Sequence, residues 1–140
     1  MALDSKDLSV LSELKADSRQ TIREIARKTK IRPSTVHQRL KRLRESRVIE
    51  RFTVKLDNKA VGENFVVFML VKTDGQIDNR FFRDEHVKEV FGITGEYDLL
   101  MKLKFRDIEQ FNTYVLDVRK VPGIRNTVTM VGTVNIKEEL

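Results

Sequence analysis

The stretch TIREIARKTKIRPSTVHQRLKRL, residues 21–43, decides how the rest of the chain is read. Thr21-Ile22-Arg23-Glu24 fits a capping box, in which Thr21 and Glu24 satisfy each other's backbone donors and start a helix. Ile22, Ile25 and Ala26 give that helix an apolar stripe, and the pattern ends near Lys30. Arg32-Pro33-Ser34 opens the next helix, with Pro33 at the first helical position, where its missing N–H costs nothing. Val36, Leu40 and Leu43 make a buried stripe at spacings of 4 and 3. The opposite face carries Ser34, Thr35, His37, Gln38, Lys41, Arg42 and Arg44. Two short helices and a tight turn, with a polar and basic outer face on the second helix, predict a helix-turn-helix. Its second helix fits a DNA major groove, about 12 Å wide.

Upstream, Asp4 is placed to cap a first helix, and Leu8, Leu11 and Leu14, with Val10, suggest one buried face. Ala16-Asp17-Ser18 breaks that pattern. Downstream, Val48–Leu56 is rich in β-branched and aromatic residues and reads as a strand. Residues 1–56 therefore form one unit, a winged helix-turn-helix with a linking strand, and residues 57–140 another.

Charge separates the same two units. The 140-residue chain carries +6 at neutral pH. Residues 1–56 hold fifteen Lys and Arg against seven Asp and Glu, a net +8, and residues 57–140 are left at −2. A single basic side chain is more often solvated than bound. An excess of +8 confined to a small unit calls for a polyanion, and double-stranded DNA suits it.

Other chemistries are poorly served. The chain has no cysteine, so disulfides, thiolate metal sites and cysteine nucleophiles are excluded. His37 and His86 stand far apart, and no metal site is expected. No apolar run reaches the ~18 residues of a membrane span, and MALDSKDLSV lacks the charged-then-apolar pattern of a signal peptide. A cytoplasmic protein without catalytic activity is expected, because no base stands beside a nucleophile in residues 57–140.

Residues 57–140 alternate. Phe65–Val71 reads as a strand, 78–89 as a helix with Phe81, Phe82 and Val87, and 90–94 as a short strand. Leu99, Met101, Leu103 and Phe105 alternate with Leu100, Lys102 and Lys104 in a strand with one wetter face. A helix from Asp107 places Ile108, Phe111, Val115 and Val118 on one face and stops at Val121-Pro122-Gly123. Residues 124–136 alternate again. The order βαββαβ is the ferredoxin-like plan, so the fold class is α+β. Its helices cover one sheet face only. The apolar residues of the other face call for a sheet-to-sheet homodimer, which would match a palindromic DNA site.

The order of these parts resembles the Lrp/AsnC family of feast/famine regulatory proteins. The likeness spans essentially the whole chain: DSKDLSVLSEL, the stretch quoted first, RVIERFTVKLD, GITGEYDLLMKLKFRDIEQFNTYV and VPGIRNTVTMV, in order. It implies a transcriptional regulator with a winged helix-turn-helix and a ferredoxin-like effector-binding and oligomerisation domain. Family members form dimers that assemble further, often to octamers, and many respond to amino acids. Carried onto this chain, with the charges read above, the DNA-facing residues are Thr21, Arg32, Ser34, Thr35, His37, Gln38, Arg39, Lys41, Arg42 and Arg47. The effector-binding residues are Gly95, Glu96, Tyr97 and Asp98, joined by Val131, Gly132 and Thr133; Glu96 or Asp98 would hold an ammonium group. No cofactor is expected beyond an amino-acid effector. The chain departs from the family pattern at Arg32, where a serine-like cap is common, and at Arg47, where glycine is common. Both arginines are expected to add phosphate contacts. An architectural DNA-binding protein without an effector is one alternative, and a small enzyme that uses the ferredoxin-like domain is the other.

Overall fold

A computed structural model describes residues 2–139. It divides into two compact units, Met1–Val54 and Lys55–Leu140.

The first unit holds three helices: α1 Ser5–Ala16, α2 Ile22–Thr29 and α3 Pro33–Glu45. Each start follows from local chemistry. Asp4 caps α1 through a box with Asp7, and Thr21 caps α2 through a box with Glu24. Val10, Ile25, Ala26, Ile31 and Val36 meet in a closed core, with Leu14, Ile22 and Leu40 packed against it. Leu8 is exposed, contrary to the stripe expected for α1. The inward face is instead Asp7, Val10 and Leu14, at spacings of 3 and 4, so one of its members is a carboxylate. The strand expected over Val48–Leu56 is absent as a ladder: these residues pair with no other strand, and Phe52, Val54 and Leu56 stand exposed. A strand is stable only against a partner, and no other segment of the unit offers one.

The second unit contains β1 Phe65–Thr73, α4 Asn79–Phe82, β2 Val87–Gly92, β3 Leu99–Phe105, α5 Ile108–Val118 and β4 Ile124–Val131. The strands form one antiparallel sheet in the order β2-β3-β1-β4. Val67, Met69 and Val71 of β1 and Met101, Leu103 and Phe105 of β3 pack with Phe111, Tyr114 and Val118 of α5. Phe105 centres an aromatic cluster, 5.2 Å from Tyr114 and 5.5 Å from Phe111 between ring centroids. Tyr114 takes the core position expected for Ile108, which is exposed.

The helix expected over 78–89 is a single turn. β3 needs a partner along its edge, and Val87–Gly92 supplies it, with Val90 opposite Met101 and Phe91 opposite Leu100. Gly123 makes the turn out of α5 possible. Its φ is +89°, and a Cβ there would lie 2.7 Å from the Gln76 carbonyl oxygen.

The other sheet face is open. Phe91, Leu100, Leu70 and Val128 are consecutive in register across it, and Phe68 and Met130 adjoin them. Phe68, Phe91, Val128 and Met130 are exposed. The sequence expectation of an uncovered apolar face therefore describes the chain as it folds.

Candidate functional site

The turn into α3 is set by Lys30, which takes a left-handed φ of +58° and lets Ile31 turn into the core. Arg32 then occupies the cap position without any side-chain hydrogen bond to the helix. The first-turn N–H groups of α3 lack a side-chain acceptor, and they lie at the positive end of the helix dipole, where an anion is favoured. Ser34, His37, Gln38 and Lys41 project from the exposed face of α3, and Thr35 is half-buried. Arg32 and Arg47 are exposed at its two ends.

Arg47 closes the helix as glycine would. Its φ is +56°, and its N–H donates to the Arg44 carbonyl at 3.0 Å. The Ile49 N–H donates to the Leu43 carbonyl at 3.0 Å. Holding a non-glycine residue in this region costs about 1 kcal/mol. Beside this end, the Arg44 guanidinium lies 5.9 Å from the Phe52 ring centroid. Together with His37, Lys41 and Ile49 these residues line a concavity of about 1040 Å³.

Three residues assigned to DNA are used differently. The Thr21 hydroxyl is engaged in its capping box, donating to Glu24 Oε2 at 2.9 Å and accepting the Glu24 N–H at 3.2 Å. Arg39 points inward: one guanidinium nitrogen donates to Asp4 at 2.6 Å and to the fully buried Asp7 at 2.7 Å. Arg42 donates to both Asp7 oxygens at 2.6 and 2.7 Å, while its side chain stays about half exposed. The physical reason is Asp7. A buried carboxylate must be paired, and the two arginines one turn apart on α3 are the available cations. Burial alone would raise Asp7, but the Asp4 backbone N–H and the two arginines outweigh it and lower it. Asp4, mainly through its hydrogen bond from Arg39, is lowered to about 2.

The proposed effector loop is only partly free. Gly95 has a φ of +113° and open space around it, and Glu96 is exposed. Tyr97 is half-buried. Asp98, however, accepts the Thr73 N–H at 2.8 Å and the Thr73 hydroxyl at 3.0 Å, with the Lys72 ammonium at 3.5 Å. Those Thr73 hydrogen bonds, with Lys72 beside them, hold its carboxyl below the usual range. As an ammonium holder Asp98 is therefore already engaged, which leaves Glu96. Nor does one chain bring the two halves of the expected site together. Asp98 adjoins the Val71 end of β1, where Val71 pairs with Leu99, whereas Val131 pairs with Val67. Four residues of strand separate them, about 13 Å at ~3.3 Å per residue. Gly132 donates to the Val66 carbonyl at 2.8 Å, and Val131 and Thr133 are exposed beside it.

The sequence reading missed Asp7, Thr73 and Lys72 as partners of assigned residues. Only Asp7 carries a signal: it lies three residues before Val10 on the inward face of α1.

These features define a class: a helix-turn-helix unit with a basic recognition helix, followed by a ferredoxin-like sheet unit. Residues 3–50 match the model of a winged helix-turn-helix DNA-binding unit, and residues 66–140 that of the Lrp/AsnC ligand binding domain. An HTH-type transcriptional regulator of Pyrococcus furiosus is 37% identical over 99% of this chain and 97% of its own length. The regulator FL11 of Pyrococcus abyssi is 31% identical over 94% of this chain and 89% of its own. Among solved structures, a Neisseria meningitidis transcriptional regulator in complex with L-methionine superposes with a TM-score of 0.90 at 26% identity, covering 99% of this chain and 94% of that one. B. subtilis LrpC superposes with a TM-score of 0.88 at 25% identity, covering 99% of this chain and 100% of that one. The chain belongs to the Lrp/AsnC family of transcriptional regulators. No helix among the described residues is long and apolar enough to cross a membrane.

Proposed function

We propose that this protein is a sequence-specific, cytoplasmic DNA-binding regulator whose assembly or DNA binding is modulated by a small amino acid. The outward face of α3 carries the reading. Ser34, His37 and Gln38 stand near its N-terminal end, where base edges are reached, and Lys41 follows one turn on. Arg32, Arg47 and the free donors of Arg42 serve phosphates, while Arg39 stays with Asp4 and Asp7. The open sheet face supports a homodimer, since an apolar surface of this kind is stabilised by burial against a second copy. Glu96 and the open backbone at Gly95 are the groups left for an amino acid, and residues 131–133 join them only from another protomer. The methionine bound by the Neisseria relative makes methionine the first effector to test.

The engagement of Asp98 favours one second reading, a DNA-binding protein without an effector. Thermal shift against the twenty amino acids separates the two, because a ligand that binds only the folded state raises stability. The DNA reading is tested by affinity against salt. Log affinity should fall with a slope of about −0.9 per phosphate neutralised. Gln38→Ala should remove about 1–3 kcal/mol of discrimination at one base position with that slope unchanged. Weak binding that ignores salt would overturn the reading.

A further inference from the structure

The recognition helix carries one more cation than the DNA-binding reading uses. His37, Lys41 and Arg44 follow one another on the exposed face of α3 at spacings of 4 and 3, so Arg44 extends the DNA-facing stripe by one turn. Arg39 and Arg42 are drawn to Asp7, whereas Arg44 pairs with no carboxylate among the described residues. Its guanidinium lies instead 5.9 Å from the Phe52 ring centroid, within cation–π reach. Phe52 itself is 50% exposed, on a segment that pairs with no strand.

Both residues line the concavity at the C-terminal end of α3. Its apolar part is Ile22, Leu40, Ile49 and Phe52, and its cations are Lys41, Arg44 and Arg47. Glu45 and Glu50 line it too, with Glu45 3.9 Å from Lys41. This mixture selects the occupant. Two carboxylates would drive off a compact, multiply charged anion. The walls are also too exposed for a small molecule, which binds where ~70–90% of its surface is covered. A DNA strand presents one charge per ~3.4 Å of helix axis, with uncharged sugars between, and so matches cations interleaved with apolar side chains.

Position agrees with chemistry. Arg44 lies ten residues beyond Ser34, about 15 Å along α3 at ~1.5 Å per residue. The major groove is about 12 Å wide and about 8.5 Å deep. With the N-terminal end of α3 at the base edges, Arg44 comes level with the wall of the groove, which is the sugar–phosphate backbone.

We propose that this concavity seats the backbone of one DNA strand, with Arg44 as a phosphate partner and Phe52 as the ring that packs on a deoxyribose and holds the Arg44 guanidinium toward the strand. The proposal deepens the DNA-binding reading and rests on it. Contacts of this kind carry no base information, so they set affinity and leave the choice of sequence to Ser34, His37 and Gln38.

The test uses the full chain, a duplex it selects from a random pool, and an unrelated duplex of the same length. Arg44→Gln should lower the salt slope by about 0.9 and weaken both duplexes by the same factor, about eightfold at 0.1 M salt. Phe52→Ala should weaken both alike by about two- to fivefold. Hydroxyl-radical labelling of the wild type supplies a measurement that needs no variant: saturating DNA should reduce the labelling of Phe52 to the level of the buried Phe105. Absence of salt-dependent binding by the wild type would overturn the DNA-binding reading, and this proposal with it. Wild-type binding with a full slope separates the two, and four results then overturn the proposal alone. They are a slope that Arg44→Gln leaves unchanged, affinity that Phe52→Ala leaves unchanged, a loss confined to the selected duplex, and Phe52 labelling that DNA does not reduce. Protection of Phe52 by raised protein concentration without DNA would assign the concavity to a second copy of the chain and overturn it equally.

Discussion

The two units handle positive charge in opposite ways. In residues 1–54 the cations of α3 mostly face solvent, and only Arg39 is folded wholly against acid, at Asp4 and Asp7. In residues 55–139 the lysines of β3 turn toward Glu138 and are nearly covered. The first pattern leaves a field that reaches a polyanion; the second spends its field inside the fold. Net charge thus points to a nucleic-acid surface only after internal counter-charges are subtracted, and in the first unit that subtraction removes Arg39 and halves Arg42.

The comparison breaks most visibly at Asp7. Asp7→Ala should destabilise the first unit by about 3 kcal/mol in urea unfolding, because Arg39 is left without its buried partner. An unchanged midpoint would mean that the inward arginine contributes nothing to the fold. A smaller change sharpens the outward side. Arg47→Gly should relieve its left-handed strain and stabilise the unit by roughly 0.5–1 kcal/mol, while the salt slope of DNA binding loses about 0.9. If affinity and slope stay the same, Arg47 touches no phosphate. The gentlest probe is acid. Asp4 titrates near 2 when folded, below its ordinary 3.8. A depressed pKa stabilises the folded state above the ordinary value, and that contribution fades as pH falls from about 4 to 2. Helical circular dichroism from the first unit should therefore decline as pH falls through that range. A signal unchanged over that range would contradict the pairing at Asp4.

Much of this was legible in the sequence, and the failures have physical causes. The helix-turn-helix was readable because its signals are local: the Thr21–Glu24 box, Pro33 and the Val36, Leu40, Leu43 stripe each act within one or two turns. The ferredoxin-like order was readable from alternation in β3 and β4. Pairing decided the rest. Val87–Gly92 became a strand because β3 offered an edge, and Val48–Leu56 stayed irregular because nothing did. The DNA face was legible as a helix surface but not as individual side chains, since nothing beside Arg39 and Arg42 in the sequence shows that both pair with the buried Asp7, Arg39 turned inward and Arg42 still about half exposed. In the effector loop, Gly95 and Glu96 lie open as expected, whereas the fate of Asp98 was set by Thr73, 25 residues away.

Lys30 and Arg47, the two non-glycine residues with positive φ among the described residues, bracket α3. Each cation occupies a place where glycine would be the more comfortable residue. Selection of random variants for heat tolerance alone should therefore enrich glycine at both positions. Each exchange would strip one unit of charge from the surface surrounding the recognition helix, so the survivors of such a screen would be sturdier proteins with a fainter attraction to DNA.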